Sequence, residues 1–261
     1  MYNLAELEMS LAGTVFASKL HFSPATDSTN SDALAAARSD APHGSVYFAD
    51  EQRAGRGRGD HTWDSAAGAG LYASVLLRTP IPAARLPLLP LAAGLAAAEA
   101  IRAVTGLIID LRWPNDLLIG PRKVGGILVE SKISGGAAEF AVVGIGINVH
   151  QRVFASELST SATSLDLDAD RRVSRQDLLL SLLKSLECET QLMLDPAATI
   201  TIPARVEQAS TWIRGRRVEV HGPQACIGET AGLDEHGFLL VRTSSGVVTV
   251  QTGGIRAAEI S

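Results

Sequence analysis

Cysteine is nearly absent, with Cys188 and Cys226 alone in 261 residues. Two scattered thiols build neither a disulfide framework nor a four-thiolate zinc site; they are read as structural and fit a reducing compartment. Aromatic residues make up only 5%, which leaves core packing to aliphatic side chains. Charge of one sign is also missing: 23 Lys plus Arg against 28 Asp plus Glu give a net charge of −5. That balance excludes nucleic acid as the primary ligand, although a local basic patch remains open. The histidines, at positions 21, 43, 61, 150, 221 and 236, show no i, i+4 pairing and no cysteine partners, so no metal-ligand pattern emerges. The most apolar stretch, Leu86 to Ala98, is shorter than the ~20 residues of a membrane span and contains Pro87, Pro90 and Gly94. Glu6 and Glu8 stand where a secretory signal carries positive charge. The expectation is a cytoplasmic protein with no membrane span.

What is present is ordinary globular usage, 46% hydrophobic and 20% charged. At roughly 150 residues per domain, the length suggests one large domain and a small appendage. Ser28 or Thr29 caps an expected helix to Arg38, and Gly44 to Asp50 reads as a strand. Ala54 to Trp63 has no hydrophobic period and carries Gly55, Gly57 and Gly59, so it reads as a mobile loop. Gly70 to Arg78 alternates in strand fashion. Leu86 to Val104 reads as a buried helix, and Leu107 to Arg112 as a strand stopped by Trp113-Pro114. Val124 to Lys132 and Glu139 to Val149 form an expected hairpin around Gly135-Gly136, and Ser174 opens a helix to about Met193 with a leucine stripe. From Trp212 onward, short strands separated by turn residues read as a small all-β barrel. The expected division is 1–211 and 212–261.

Several segments could carry chemistry. The loop at Gly55 lacks the Gly-Lys-Ser/Thr ending of a P-loop, and Asp60 stands where a dinucleotide fingerprint needs glycine. Arg53, Arg56 and Arg58 set among glycines nevertheless suit a loop that folds over an anion, and a solvated surface loop is the competing reading. Arg112-Trp113-Pro114-Asn115-Asp116 is denser than a turn needs. Lys123 precedes a glycine-rich strand along which a ligand could come close, and Gly144-Ile145-Gly146-Ile147-Asn148 puts two glycines on one strand face. A solvated lysine and a plain strand irregularity are the bland alternatives. No G-x-S-x-G elbow is present, so any chemistry rests on cations.

Taken together, DSTN (Asp27 to Asn30), EQRAGRGRGDHTW (Glu51 to Trp63), GLYASVLLR, RWPNDLL (Arg112 to Leu118), RKVGGILVES (Arg122 to Ser131) and GIGINV (Gly144 to Val149) resemble the biotin protein ligases. The resemblance implies an α+β fold: a mixed-sheet catalytic domain of the biotin/lipoate ligase type with a small C-terminal SH3-like β-barrel. It implies that biotin's carboxylate is joined to the α-phosphate of ATP, with Mg²⁺, and that the biotinyl group then passes to a lysine of a biotin carboxyl carrier domain. Carried over position by position, Ser28, Thr29, Asn30, Gln52, Arg56, Gly57 and Arg58 resemble the biotin-contacting set. Lys123 matches the lysine that meets biotin's carboxylate and the adenylate phosphate. Trp63, Asn115 and Asn148 resemble nucleotide-side residues, and Asp116 is assigned to orienting Mg²⁺ or the incoming amine. Lys123, Arg58 and Asp116 are thus the expected catalytic residues, with no protein metal site.

The chain departs from the family pattern GRGRxGRxW, reading Gly59-Asp60-His61-Thr62-Trp63 in the second half of the loop. An arginine is lost there and a carboxylate gained. Arg112 stands where many members have lysine. Regulatory members carry an additional N-terminal winged helix for which this sequence has no room, so no DNA partner is expected; the resemblance admits a homodimer. A lipoate or octanoate ligase or transferase of the same fold, or a non-catalytic biotin-binding module, are the competing functions.

Overall fold

The computed structural model describes residues 2–154 and 161–258. Its core is a seven-stranded mixed sheet in the order β1-β2-β3-β7-β6-β5-β4. The strands are β1 (Leu20–Thr26), β2 (Val46–Gln52), β3 (Gly70–Leu77), β4 (Asp110–Arg112), β5 (Asp116–Ile119), β6 (Arg122–Ser134) and β7 (Ala137–Asn148). Only β1 and β2 pair in parallel; the other pairs are antiparallel. Pro24 lies in β1, an edge strand, where the missing donor costs little. Helices α1 (Leu4–Ser10), α2 (Thr29–Arg38) and α3 (Leu89–Thr105) are followed by α4 (Leu165–Ala169), α5 (Arg175–Leu192), α6 (Pro196–Thr199) and α7 (Ile202–Gln208). A second, antiparallel sheet has the order β11-β10-β9-β8-β12. It is built from β8 (Arg214–His221), β9 (Cys226–Leu233), β10 (Leu239–Thr243), β11 (Gly246–Val250) and β12 (Gly254–Ala257).

Strand periodicity decides which residues face the site. Successive side chains alternate between faces, so Leu76, Phe140 and Val142 pack under Ala33 and Ala37 of α2, while Val75, Leu77, Ala141 and Val143 join the main core on the opposite face. That core is closed by α3 and α5, whose leucines at 178, 179, 182, 183 and 186 are all buried. Farther along the α2 face, Tyr72 pairs with Gly146 and Ser74 with Gly144, and on the neighbouring strand Gly126 and Leu128 pair with the same two glycines. The face that carries α2 therefore runs out into a polar, glycine-lined patch at the start of that helix.

The helix expected from Leu86 is present as a 3-10 turn (Ala83–Leu88) leading into α3. By length and composition, the stretch Ala83–Thr105 is apolar enough to cross a membrane, with mean hydropathy 1.4. Its apolar positions, including Leu89, Ala92, Ala93, Ala96, Ala97 and Ile101, are instead buried in the protein core. The alternation read into Gly70 to Arg78 is not seen: all eight residues of β3 are buried, because helices cover both faces of this central strand. Of the two thiols read as structural, Cys226 is half-buried and Cys188 is exposed on α5.

Candidate active site

Two clefts open on the glycine-lined patch and share one wall. The first, with about 590 Å³ of empty space, is lined by Ser28, Thr29, Asn30, Gln52, Arg56 and Gly57 together with β3, β6 and β7. The second, about 1360 Å³, is lined by Arg112, Asp116, Asn148 and Gln151 and by residues of the second sheet. Arg58, His61, Thr62, Trp63, Asn115 and Lys123 border both. Every site residue expected from sequence therefore lines one cleft or the other.

The floor of the first cleft is built from neutral hydrogen-bonding groups. The Thr29 N–H donates to Gln52 Oε1 at 2.9 Å, and the Thr29 hydroxyl lies 2.8 Å from that of Ser74. Ser74 donates to Asn30 Oδ1 at 2.6 Å, and Asn30 Nδ2 donates to Glu130 at 2.9 Å. Ser28, Thr29 and Asn30 are buried with this network. Ser28 stands at the N-cap of α2, yet its side chain makes no capping bond, which leaves the hydroxyl available to the cleft. Gly144 is required here: a Cβ at that position would sit 2.0 Å from Asn30 Oδ1.

The shared wall is cationic. Lys123 Nζ lies 2.5 Å from Asp116 Oδ1 and 5.4 Å from the centroid of the Trp63 ring. The other Asp116 oxygen accepts from Arg112 Nε and Nη2, at 3.1 and 2.6 Å. Burial, the largest influence, would raise the Asp116 pKa, but Lys123 and Arg112 together outweigh it and hold the carboxyl below its ordinary range. The Arg112 guanidinium also lies over the Trp212 ring at 5.2 Å, a stacked role that suits arginine better than lysine. Trp63 lies against Gly146, where a Cβ would come 2.7 Å from its Nε1.

The Ala54 to Trp63 loop doubles back over this wall. Gly57 N–H donates to His61 O at 2.7 Å, and the backbones of Arg56 and Thr62 form an isolated antiparallel bridge. Arg56 does not point free into the cleft; its two terminal nitrogens meet the Glu130 oxygens at 3.0 and 2.5 Å. Arg58 donates to Gly253 O in the second sheet. Burial lowers its pKa, partly offset by Asp116. Trp113 is buried and donates through Nε1 to Gly237 O at 3.0 Å. It fastens the two sheets together.

The Biotin/lipoate A/B protein ligase family model matches residues 22–148. The bifunctional ligase/repressor BirA of Bacillus spizizenii is 31% identical over 259 residues, covering 96% of this chain and 78% of that protein. The biotin–[acetyl-CoA-carboxylase] ligase of Mycobacterium tuberculosis is 35% identical over 244 residues, covering 88% and 85%. The chain belongs to the biotin/lipoate A/B protein ligase family. Among solved structures, a biotin protein ligase from Aquifex aeolicus in complex with biotin and ATP superposes with a TM-score of 0.78 at 30% identity, over 92% of this chain and 98% of that one.

For a member of this family, the sequence reading missed the partners that tie its motifs together. Ser74 and Glu130 complete the hydrogen-bond network behind the first cleft; the signal for Ser74 was a small hydroxyl in an apolar strand. His221, Gly254, Ile255 and Arg256 of the second sheet line the second cleft, and nothing local marked them. Asp116, expected to orient Mg²⁺ or the incoming amine, pairs with Lys123 through one oxygen and with Arg112 through the other.

Proposed function

We propose that this chain is an ATP-dependent biotin protein ligase. It condenses biotin's carboxylate with the α-phosphate of ATP, releasing pyrophosphate, and passes the biotinyl group to a lysine ε-amine on the biotin carboxyl carrier domain of a biotin-dependent carboxylase. The observation that carries this reading is the shared wall: a cleft with a floor of hydroxyls and amides and a larger cleft meet at Lys123, Arg58 and Trp63. A carboxylate seated in the first cleft and a triphosphate in the second approach each other there, and their mutual repulsion requires fixed positive charge.

Lys123 supplies that charge in both steps, offsetting repulsion during adenylation and stabilising the departing AMP during transfer. Asp116 holds Lys123 and Arg112 in place, and as an ionised carboxylate it orients the incoming amine. Ser28, Thr29, Asn30 and Gln52 hold the ureido ring, whose donors and acceptors match their hydroxyls and amides. Trp63, Asn115 and Asn148 take the nucleoside. The loop closes over the wall and keeps water from the mixed anhydride. Among the described residues no group of three or more His, Cys, Asp or Glu could hold a metal ion. Mg²⁺ would be held mainly by the triphosphate oxygens and would supply charge neutralisation there.

The proposal extends to a catalytic domain at 1–211, an SH3-like domain at 212–261, a cytoplasmic location and ligation without operator recognition. A net charge of −5 favours none of the phosphate contacts that duplex binding needs. The test is direct: incubate the chain with biotin, ATP, Mg²⁺ and a carrier domain, then weigh the carrier. A biotinyl increment, absent when lipoate replaces biotin, is expected; an unmodified carrier overturns the reading. Salt-resistant, sequence-selective binding to a duplex would overturn the ligase-only part.

A further inference from the structure

Glu130 joins the loop to the first cleft through three hydrogen bonds. Its carboxylate receives both terminal nitrogens of Arg56, at 3.0 and 2.5 Å, and also accepts from Asn30 Nδ2 at 2.9 Å. From Asn30 the chain of contacts continues to Ser74 at 2.6 Å, Thr29 at 2.8 Å, Gln52 at 3.1 Å and Ser65 at 2.8 Å. It starts on one arm of the glycine–arginine loop, passes beneath the cleft and returns to the other arm. Among the described residues, no other carboxylate hydrogen-bonds to the side chains of Thr29, Asn30, Gln52, Ser65 or Ser74.

We infer that Glu130 is a positioning residue that couples ligand seating in the first cleft to closure of the loop. A ring that hydrogen-bonds to Thr29 or Asn30 shares partners with this circuit, and linked hydrogen bonds strengthen one another. Stiffening Asn30 stiffens the carboxylate that receives Arg56, and so holds Gly57 and Arg58 over the shared wall. The carboxylate is needed for this, because it accepts from all three donors at once. A glutamine offers one acceptor and turns an N–H₂ toward Arg56 or Asn30. Glu130 touches no reacting atom in this account; it acts through Arg56.

This inference rests on the ligase reading, and the experiment separates the two. Wild type, Glu130→Gln, Arg56→Gln and the double variant are compared as full chains. Hydrogen exchange over residues 54–62 is followed with and without biotin alone, and the release rate of preformed biotinyl-adenylate is measured. Each single variant is expected to release adenylate roughly tenfold faster or more and to lose biotin-induced protection of the loop, while β3 stays protected. The double variant is expected to release it no faster than the worse single. Release rates that multiply in the double variant, or loop protection that survives Glu130→Gln, would overturn the coupling. If Glu130→Gln does not fold, Glu130→Asp is expected to give intermediate release, and wild-type release in that variant overturns the inference. A wild-type chain that forms no adenylate from biotin and ATP would instead defeat the ligase reading, while the biotin-only exchange arm still reports on Glu130.

Discussion

The two clefts are built by different means. The floor of the first is assembled from one sheet face and the start of one helix, with the loop over it, and the polar atoms of that floor are already bonded to one another through Thr29, Ser74, Asn30 and Glu130. The second is assembled from seven separate stretches, including the end of β8 and most of β12, and is lined by charged side chains such as Arg58, Arg112, Lys123 and Arg256. A neutral ring demands preset hydrogen-bond geometry, because an unpaired buried polar group is costly. A polyanion demands charge, which acts over longer distance and tolerates contributions from mobile or distant segments. The difference is therefore one of tolerance: small steric changes should cripple the first cleft, and loss of one cation should weaken the second by degrees.

Among the changes that separate the two clefts, Gly144→Ala gives the largest effect. A Cβ 2.0 Å from Asn30 Oδ1 displaces the network, and biotin affinity measured by calorimetry should fall roughly a hundredfold, in line with an overpacking cost of about 1–3 kcal/mol. ATP affinity should change little; an equal loss of both would erase the distinction between the clefts. Gly146→Ala is its counterpart, pushing instead on Trp63, and should raise the KM for ATP more than that for biotin. Arg58→Ala removes a cation of the shared wall and its contact with Gly253. Adenylate should leave about tenfold faster in a chase experiment.

Arg256→Ala should be milder, raising the KM for ATP about fivefold with biotin affinity within about twofold of wild type. A matching fall in biotin affinity would show that the second sheet serves both clefts. The smallest effect is on stability. The folded pKa of Asp116 is depressed, so its pairing contributes stability above the ordinary carboxylate pKa of about 4 and loses it as pH falls through the folded value. Asp116→Asn should therefore lower Tm at pH 7 by more than it does near pH 3, where a constant difference would contradict the pairing.

Local chemistry made the main elements legible. Ser174 caps a helix that starts at Arg175, its hydroxyl oxygen accepting from Asp177 N–H, and Gly135-Gly136, both at positive φ, turn the long hairpin. Other elements had weak local signals. β1 contains Pro24, β5 begins at the Asn115-Asp116 pair that reads as a turn, and β12 is four residues long. The site residues were legible through a family resemblance rather than through their own spacing, and what escaped was their pairing. Arg56 was assigned to the ligand, but its guanidinium is turned to Glu130, 74 residues away. Arg256 reaches the second cleft only through the packing of the two sheets, fastened by Trp113 and by Trp212 between Arg112 and Arg216.

The central claim is that both half-reactions take place at one wall, under one ammonium. Lys123→Ala isolates it when biotin-dependent pyrophosphate exchange and the transfer of preformed biotinyl-adenylate to a carrier domain are measured separately. Both should slow by roughly 10²-fold or more, as for other preorganised electrostatic donors, and Lys123→Arg should restore neither fully, because a planar fork places its charge elsewhere. Near-normal rates in both assays would show that Lys123 is an ordinary partner of Asp116 and that the chemistry lies elsewhere.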